Sequence, residues 1–115
     1  MLTLGLSGRI WVCVEAVDGR KSFDGLSAMV TTHLARDPLS GDAFVFKNRR
    51  GDRLKILAWQ GDGFALYLRR LERGTFAFPT SAAAEVRISA TELAMILGGI
   101  DLGSVRRRPR WRQPA

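Results

Sequence analysis

Between residues 47 and 73 the chain sets eight basic side chains, Lys47, Arg49, Arg50, Arg53, Lys55, Arg69, Arg70 and Arg73, against three acids, Asp52, Asp62 and Glu72. A second concentration follows at Arg106, Arg107, Arg108, Arg110 and Arg112, with Trp111 among them and no acid. A guanidinium is always charged and presents a fork of donors that matches two phosphate oxygens, and its flat face stacks on bases. The chemistry these residues offer is therefore recognition of a polyanion, with phosphate contact as its main term. The five arginines of the second group would neutralise ~4–5 phosphates, enough for a steep salt dependence. Trp59 and Tyr67, interleaved with the first group, suit base stacking in one reading and the core of a small domain in the other.

Covalent chemistry has little to work with. The nucleophile-elbow, phosphate-loop and zinc-protease patterns are absent. The single Cys13 and single His33 supply no cysteine–histidine metal spacing. No cofactor, metal ligand or catalytic residue is assigned. Most acids sit in turn-like settings beside Gly or Pro, as Asp37, Asp52 and Asp62 do, where a carboxylate serves the turn. A metal-dependent nuclease using Asp24, Asp37 or Asp52 is a minor reading, and the expectation is a protein that is not an enzyme.

The overall balance agrees with a polyanionic partner. The 115 residues carry 18 Lys and Arg, fifteen of them Arg, against 11 acids, for a net charge of +7. Residues 104–115 account for +5 of this and contain two prolines and little apolar matter. The expectation is one compact domain over 1–103, at a net +2, followed by a flexible Arg-rich tail over 104–115. No stretch supplies the ~20 uncharged residues of a membrane helix. The lone Cys13 lies in the apolar run Ile10 to Val14. It reads as a small buried hydrophobe in a reducing cytoplasm.

The elements that must position these groups are legible as periodicities. Residues 9–17 are rich in β-formers and predict a strand, closed by the turn Asp18-Gly19. Phe23, Leu26, Val30 and Leu34 make one helical stripe over 23–35, with Ser22 or Asp24 as cap and Asp37-Pro38 as its stop. Residues 43–48, 53–60 and 64–72 predict three strands in a meander, turning at Arg49 to Asp52 and at Gly61 to Gly63. A short strand over 85–88 follows. Ser89 with Glu92 is a capping box opening a helix with Leu93, Ile96, Leu97 and Ile100 on one face. The expected fold is α+β, a small antiparallel β-meander sheet with two helices packed on it. If Gly61 to Gly63 closes the hairpin, Lys55 lies opposite Arg69 and Trp59 opposite Ala65. Arg53, Lys55, Leu57 and Trp59 then share a face with Tyr67 and Arg69. Like charges across a sheet repel, so such a pair invites an anion to bridge it.

Several blocks carry a family resemblance. Arg20-Lys21-Ser22-Phe23-Asp24-Gly25-Leu26 is one, and Arg36-Asp37-Pro38-Leu39-Ser40-Gly41 with Phe44-Val45-Phe46 is another. Arg49 to Lys55 with Leu57 and Trp59, then Gly63-Phe64 and Arg69 to Gly74 with Phe76, continue it. Leu93 to Asp101 resembles the closing helix. From about Ile10 to Asp101 the chain resembles TnpB, the accessory-protein family encoded by the second open reading frame of bacterial insertion sequences of family sixty-six. Ser22, Gln60 and Phe78 depart from that family's usual residues. The resemblance implies a role in DNA transposition beside a separate transposase. DNA, as element ends or target, is the expected partner, together with the transposase and the element's other accessory protein. The alternative is a protein adaptor that docks to the transposase without touching DNA.

Overall fold

A computed structural model describes residues 8–100. The Arg-rich group at 106–112 and the proposed tail lie outside the described residues. The elements run β1 (Ile10–Cys13), α1 (Phe23–Thr32), β2 (Ala43–Lys47), β3 (Arg53–Trp59), β4 (Phe64–Arg70), β5 (Glu85–Ile88) and α2 (Ala90–Leu97). They form one five-stranded sheet in the order β4-β3-β2-β1-β5. The α+β class and the β2-β3-β4 meander are as the sequence predicts. The sheet is mixed, however, because α1 carries the chain back over the sheet so that β2 lies parallel to β1.

Strand alternation sorts the side chains onto two faces. On one, Ile10, Val12, Ala43, Val45, Leu54, Ile56 and Ile88 pack with Leu93, Ile96 and Leu97 of α2. On the other, Trp11, Cys13, Phe44, Phe46 and Leu57 pack with Leu26, Val30 and Leu34 from α1 and its exit. The two helices thus cover opposite faces, and the central strands are buried on both sides, which explains their near-continuous apolar runs.

The ends of the elements have local causes. Ser89 accepts from the Glu92 N–H at 3.1 Å while the Glu92 carboxylate accepts from the Ser89 N–H at 3.0 Å, the capping box the sequence predicts. Ser22 stands at the N-cap of α1 but makes no side-chain cap bond. Two predicted spans are corrected. The first strand stops at Cys13, and Val17 returns only as an isolated parallel bridge to Asn48. The first helix stops at Thr32, before Asp37-Pro38, because Ala35 turns the chain at φ 53.

The hairpin register is also corrected. Gln60 donates from its N–H to the Gly63 carbonyl at 2.8 Å, so the tip is the two-residue turn Gly61-Asp62, with Gly61 at φ 96. Trp59 therefore faces Phe64, Lys55 faces Leu68, Leu54 faces Arg69 and Arg53 faces Arg70. The slip of one residue moves Tyr67 and Arg69 to the α2 face, away from Arg53, Lys55, Leu57 and Trp59.

Candidate nucleic-acid interface

The turn between β2 and β3 is built around Asn48. Its side-chain amide donates to Asp52 at 2.7 Å, and its carbonyl oxygen accepts from the Arg53 N–H at 3.0 Å. Gly51 takes φ 76, and a Cβ there would stand 3.2 Å from Thr75 Cβ. Its carbonyl accepts from the Phe76 N–H at 2.8 Å, and the Asp52 carbonyl accepts from the Leu71 N–H at 2.7 Å. On the other flank the Val17 N–H donates to Lys47 O at 2.9 Å. Three segments are thereby locked together at one end of the sheet: residues 17–21, 48–53 and 70–76.

This end gathers Arg20, Lys21, Arg49, Arg50, Arg53, Arg70 and Arg73. Arg20 is spent on Asp18 at 2.8 Å and Arg70 on Glu72 at 3.0 Å. Arg49, Arg50, Arg53 and Arg73 are exposed. Among the described residues none of these four has an acid within ion-pair distance. Exposed guanidinium groups crowded without close ion pairs make a surface of raised positive potential, which favours an anion. The two carboxyls here are held down chiefly by local hydrogen bonds. The Arg20 guanidinium holds Asp18 well below the usual carboxylate range. Asn48, with Arg50 and Arg53 adding, holds Asp52 below it as well.

Two basic residues that the sequence placed with this group have other duties. Lys55 sends its ammonium to the carbonyls of Gly19 at 2.7 Å and Lys21 at 2.6 Å, and burial pushes its pKa down. It pins the loop before α1 to the sheet. Arg69 lies on the opposite face and donates to Leu97 O at 3.1 Å, a cation at the carbonyl end of α2 where the helix dipole favours one. Arg20 and Lys21 join the basic end through the Val17–Asn48 bridge. That is a contact between sequence-distant segments with no local signal.

The aromatics do not interleave with the basic end. Trp59 packs edge-on against Phe64 at 5.1 Å, at the hairpin tip. The tip is six residue steps from the Arg53–Arg70 pair, roughly 20 Å at strand rise. Tyr67 packs against the α2-side core. The core reading is the one the structure supports for Tyr67, whereas Trp59 is half-buried against Phe64 at the tip; the basic end is suited to phosphate contact without stacking.

The remaining motif residues form a clamp at the β1–β5 side. Arg36 lies 3.3 Å over the Trp11 ring and donates to Glu85 at 2.6 Å. Trp11 donates from its indole to Asp42 at 3.1 Å. Asp37 accepts from the Leu39 N–H at 2.9 Å. Asp18, Asp37, Asp42 and Asp52 are thus each tied to a turn or a neighbour. Among the described residues no three metal-binding side chains come together, and no helix is long and apolar enough to cross a membrane.

Comparison with known proteins bears on this arrangement. The family model described as IS66 Orf2 like protein matches residues 8–107. Two proteins of Sinorhizobium fredii are similar along most of their length. The uncharacterized protein y4jC is 39% identical over 101 residues, covering 88% of this chain and 86% of that one. The uncharacterized protein y4hO is 35% identical over 114 residues, covering 99% of this chain and 91% of that one. No solved structure matches the chain.

Proposed function

The chain belongs to the family of IS66 Orf2-like proteins, which associates it with an insertion sequence, and from that premise we propose that it assists transposition without catalysis, by binding DNA. The observation that carries this reading is the cluster of Arg49, Arg50, Arg53 and Arg73 at one end of the sheet, exposed and without acid partners among the described residues. Phosphate contacts fix position on a duplex and carry no sequence information of their own. Binding is therefore expected to be steeply salt-dependent and weakly selective. The commitment of four aspartates to turns and neighbours supports a role outside the chemical step, which falls to a separate transposase.

The test is a titration of labelled duplex with the full chain over a salt series, using element ends and random duplex of equal length. A linear fall of log affinity with log salt, similar for both duplexes, is the expected result. Absence of binding at low salt, or a flat dependence, overturns it. A second reading, docking to the transposase, is favoured by one specific observation: Phe23 and Leu68 are large apolar side chains left at the surface.

A further inference from the structure

A five-stranded sheet measures roughly 19 Å between its outer strands, and a helix about 10 Å across covers two of them well. On the α1 face that arithmetic leaves a gap. Leu26 and Val30 of α1 close over Trp11, Cys13, Phe44, Phe46 and Leu57, which belong to β1, β2 and β3. The β5 flank is closed by Arg36 and Glu85. The β4 flank has no such cover. Leu66 is only partly buried, Leu68 is 57% exposed, and Phe23 in the first turn of α1 is 43% exposed. The reverse face of β4 is covered, since Tyr67 packs in the α2-side core and Arg69 reaches Leu97. Phe64 and Leu66 reach the α1-side core and Ala65 is exposed on the α2 side, so the uncovered apolar stretch of the strand is local to Leu68 on the α1 side.

The charges around this strip define what fits it. Arg53 and Arg70 stand directly opposite one another on the same face, two pairs along from Lys55 and Leu68. Glu72 balances Arg70 alone. The ammonium of Lys55 is turned to the Gly19 and Lys21 carbonyls, which leaves its methylene stem beside Leu68. An apolar strip bounded by arginines matches a helix with an apolar stripe and an acidic flank. A second copy is a poor match, because an isologous contact would bring the same arginines together. Residues 1–7 and 101–115 hold a single acid, Asp101, so these segments of the chain lack the complementary charge.

We propose that the α1-side face of β4, centred on Phe23 and Leu68, docks an acidic amphipathic helix of a partner protein. The helix lies beside α1 and completes the layer, with its carboxylates toward Arg53 and Arg70. This surface adjoins the phosphate-binding end and shares Arg53 with it, but its apolar centre at Phe23 and Leu68 is separate and does not depend on the DNA reading.

The experiment uses the full chain and two labelled helical peptides with leucine on one face, one carrying Glu and the other Lys on the opposite face. The Glu peptide should bind and the Lys peptide should not. Phe23→Ser with Leu68→Ser, both at exposed sites and checked by melting, should weaken the Glu peptide roughly tenfold or more and leave duplex DNA binding unchanged. Arg53→Glu with Arg70→Glu should reverse the preference between the two peptides. Equal binding of both peptides, or an indifferent serine variant, overturns the proposal. So does loss of DNA binding in the serine variant, which would make the strip part of the DNA surface. Self-association of the wild type that the serine variant abolishes would identify a second copy as the occupant and overturn it as well. Failure of the wild type to bind DNA would refute the DNA reading alone.

Discussion

Replacing Arg49, Arg50, Arg53 and Arg73 together by alanine separates charge placement from charge amount. These four are exposed and lack acid partners among the described residues, so each is available for one phosphate. On duplex DNA each lost contact reduces the slope of log affinity against log salt by ~0.9, so four reduce it by about 3 to 4. Between 50 and 200 mM salt, a fourfold change, such a slope accounts for roughly a hundredfold in affinity. The variant should lose its advantage at low salt and converge on the wild type at high salt. Arg20 and Arg70, already paired to Asp18 and Glu72, should each lower the slope by less than one contact when replaced alone. Removing residues 104–115, with their five arginines, should lower it independently by ~4. The assay is anisotropy of a labelled duplex over a potassium chloride series, with thermal melting as the check on folding. An unchanged slope in the fourfold variant, with residues 104–115 retained, refutes the assignment of the sheet end as the phosphate surface.

Three further outcomes follow from the geometry. Lys55→Met strips the Gly19 and Lys21 carbonyls of their donor and should cost about 1–3 kcal/mol in urea unfolding; an unaltered urea midpoint would show that Lys55 does not pin the loop. Gly51→Ala forces a side chain onto φ 76 and toward Thr75; it should cost about 1–2 kcal/mol, and a melting temperature unchanged within error would refute the strain. Asp18 and Asp52 have folded-state pKa values below their unfolded ones, so the stability they contribute is whole above about pH 4 and is lost as pH falls. The pH profile of Asp18→Asn with Asp52→Asn should therefore be flatter on its acid side, and a profile parallel to the wild type would remove the linkage.

Much of the fold was legible because the signals that set it are local. Glu92 three residues after Ser89 is enough to place the start of α2, and both bonds of the box form. The stripe Leu26, Val30 and Leu34 picks out the buried side of α1 and its exit, although Phe23, its first member, stays exposed. Non-local contacts were not legible. Nothing near Val17 announces a parallel bridge to Asn48, yet that bridge extends the β1–β2 pairing and brings the segment 17–21 to the turn that carries Arg49. Arg36 over Trp11 joins two residues 25 positions apart with no pattern linking them. Ala35 at φ 53 ends the first helix against expectation, since alanine is not a residue whose type forecasts a left-handed turn.

The register of β3 and β4 shows how a single residue decides which positive charges remain available. The sequence predicts Lys55 opposite Arg69, a repulsion that invites an anion. The two-residue turn at Gly61-Asp62 shifts that pairing by one, so Lys55 meets Leu68 and Arg69 meets Leu54. Each of those two cations then finds carbonyl oxygens within the fold, at Gly19 and Lys21 or at Leu97. The repulsive pair does not vanish; it moves to Arg53 and Arg70, at the outer end of the hairpin. There Glu72 pairs with Arg70, and Arg53 makes no ion pair among the described residues. The principle behind the expectation survives at a different address. A like-charge pair that the fold can absorb becomes a structural tie, while one at a strand end beside Arg49, Arg50 and Arg73 adds to a surface of positive potential.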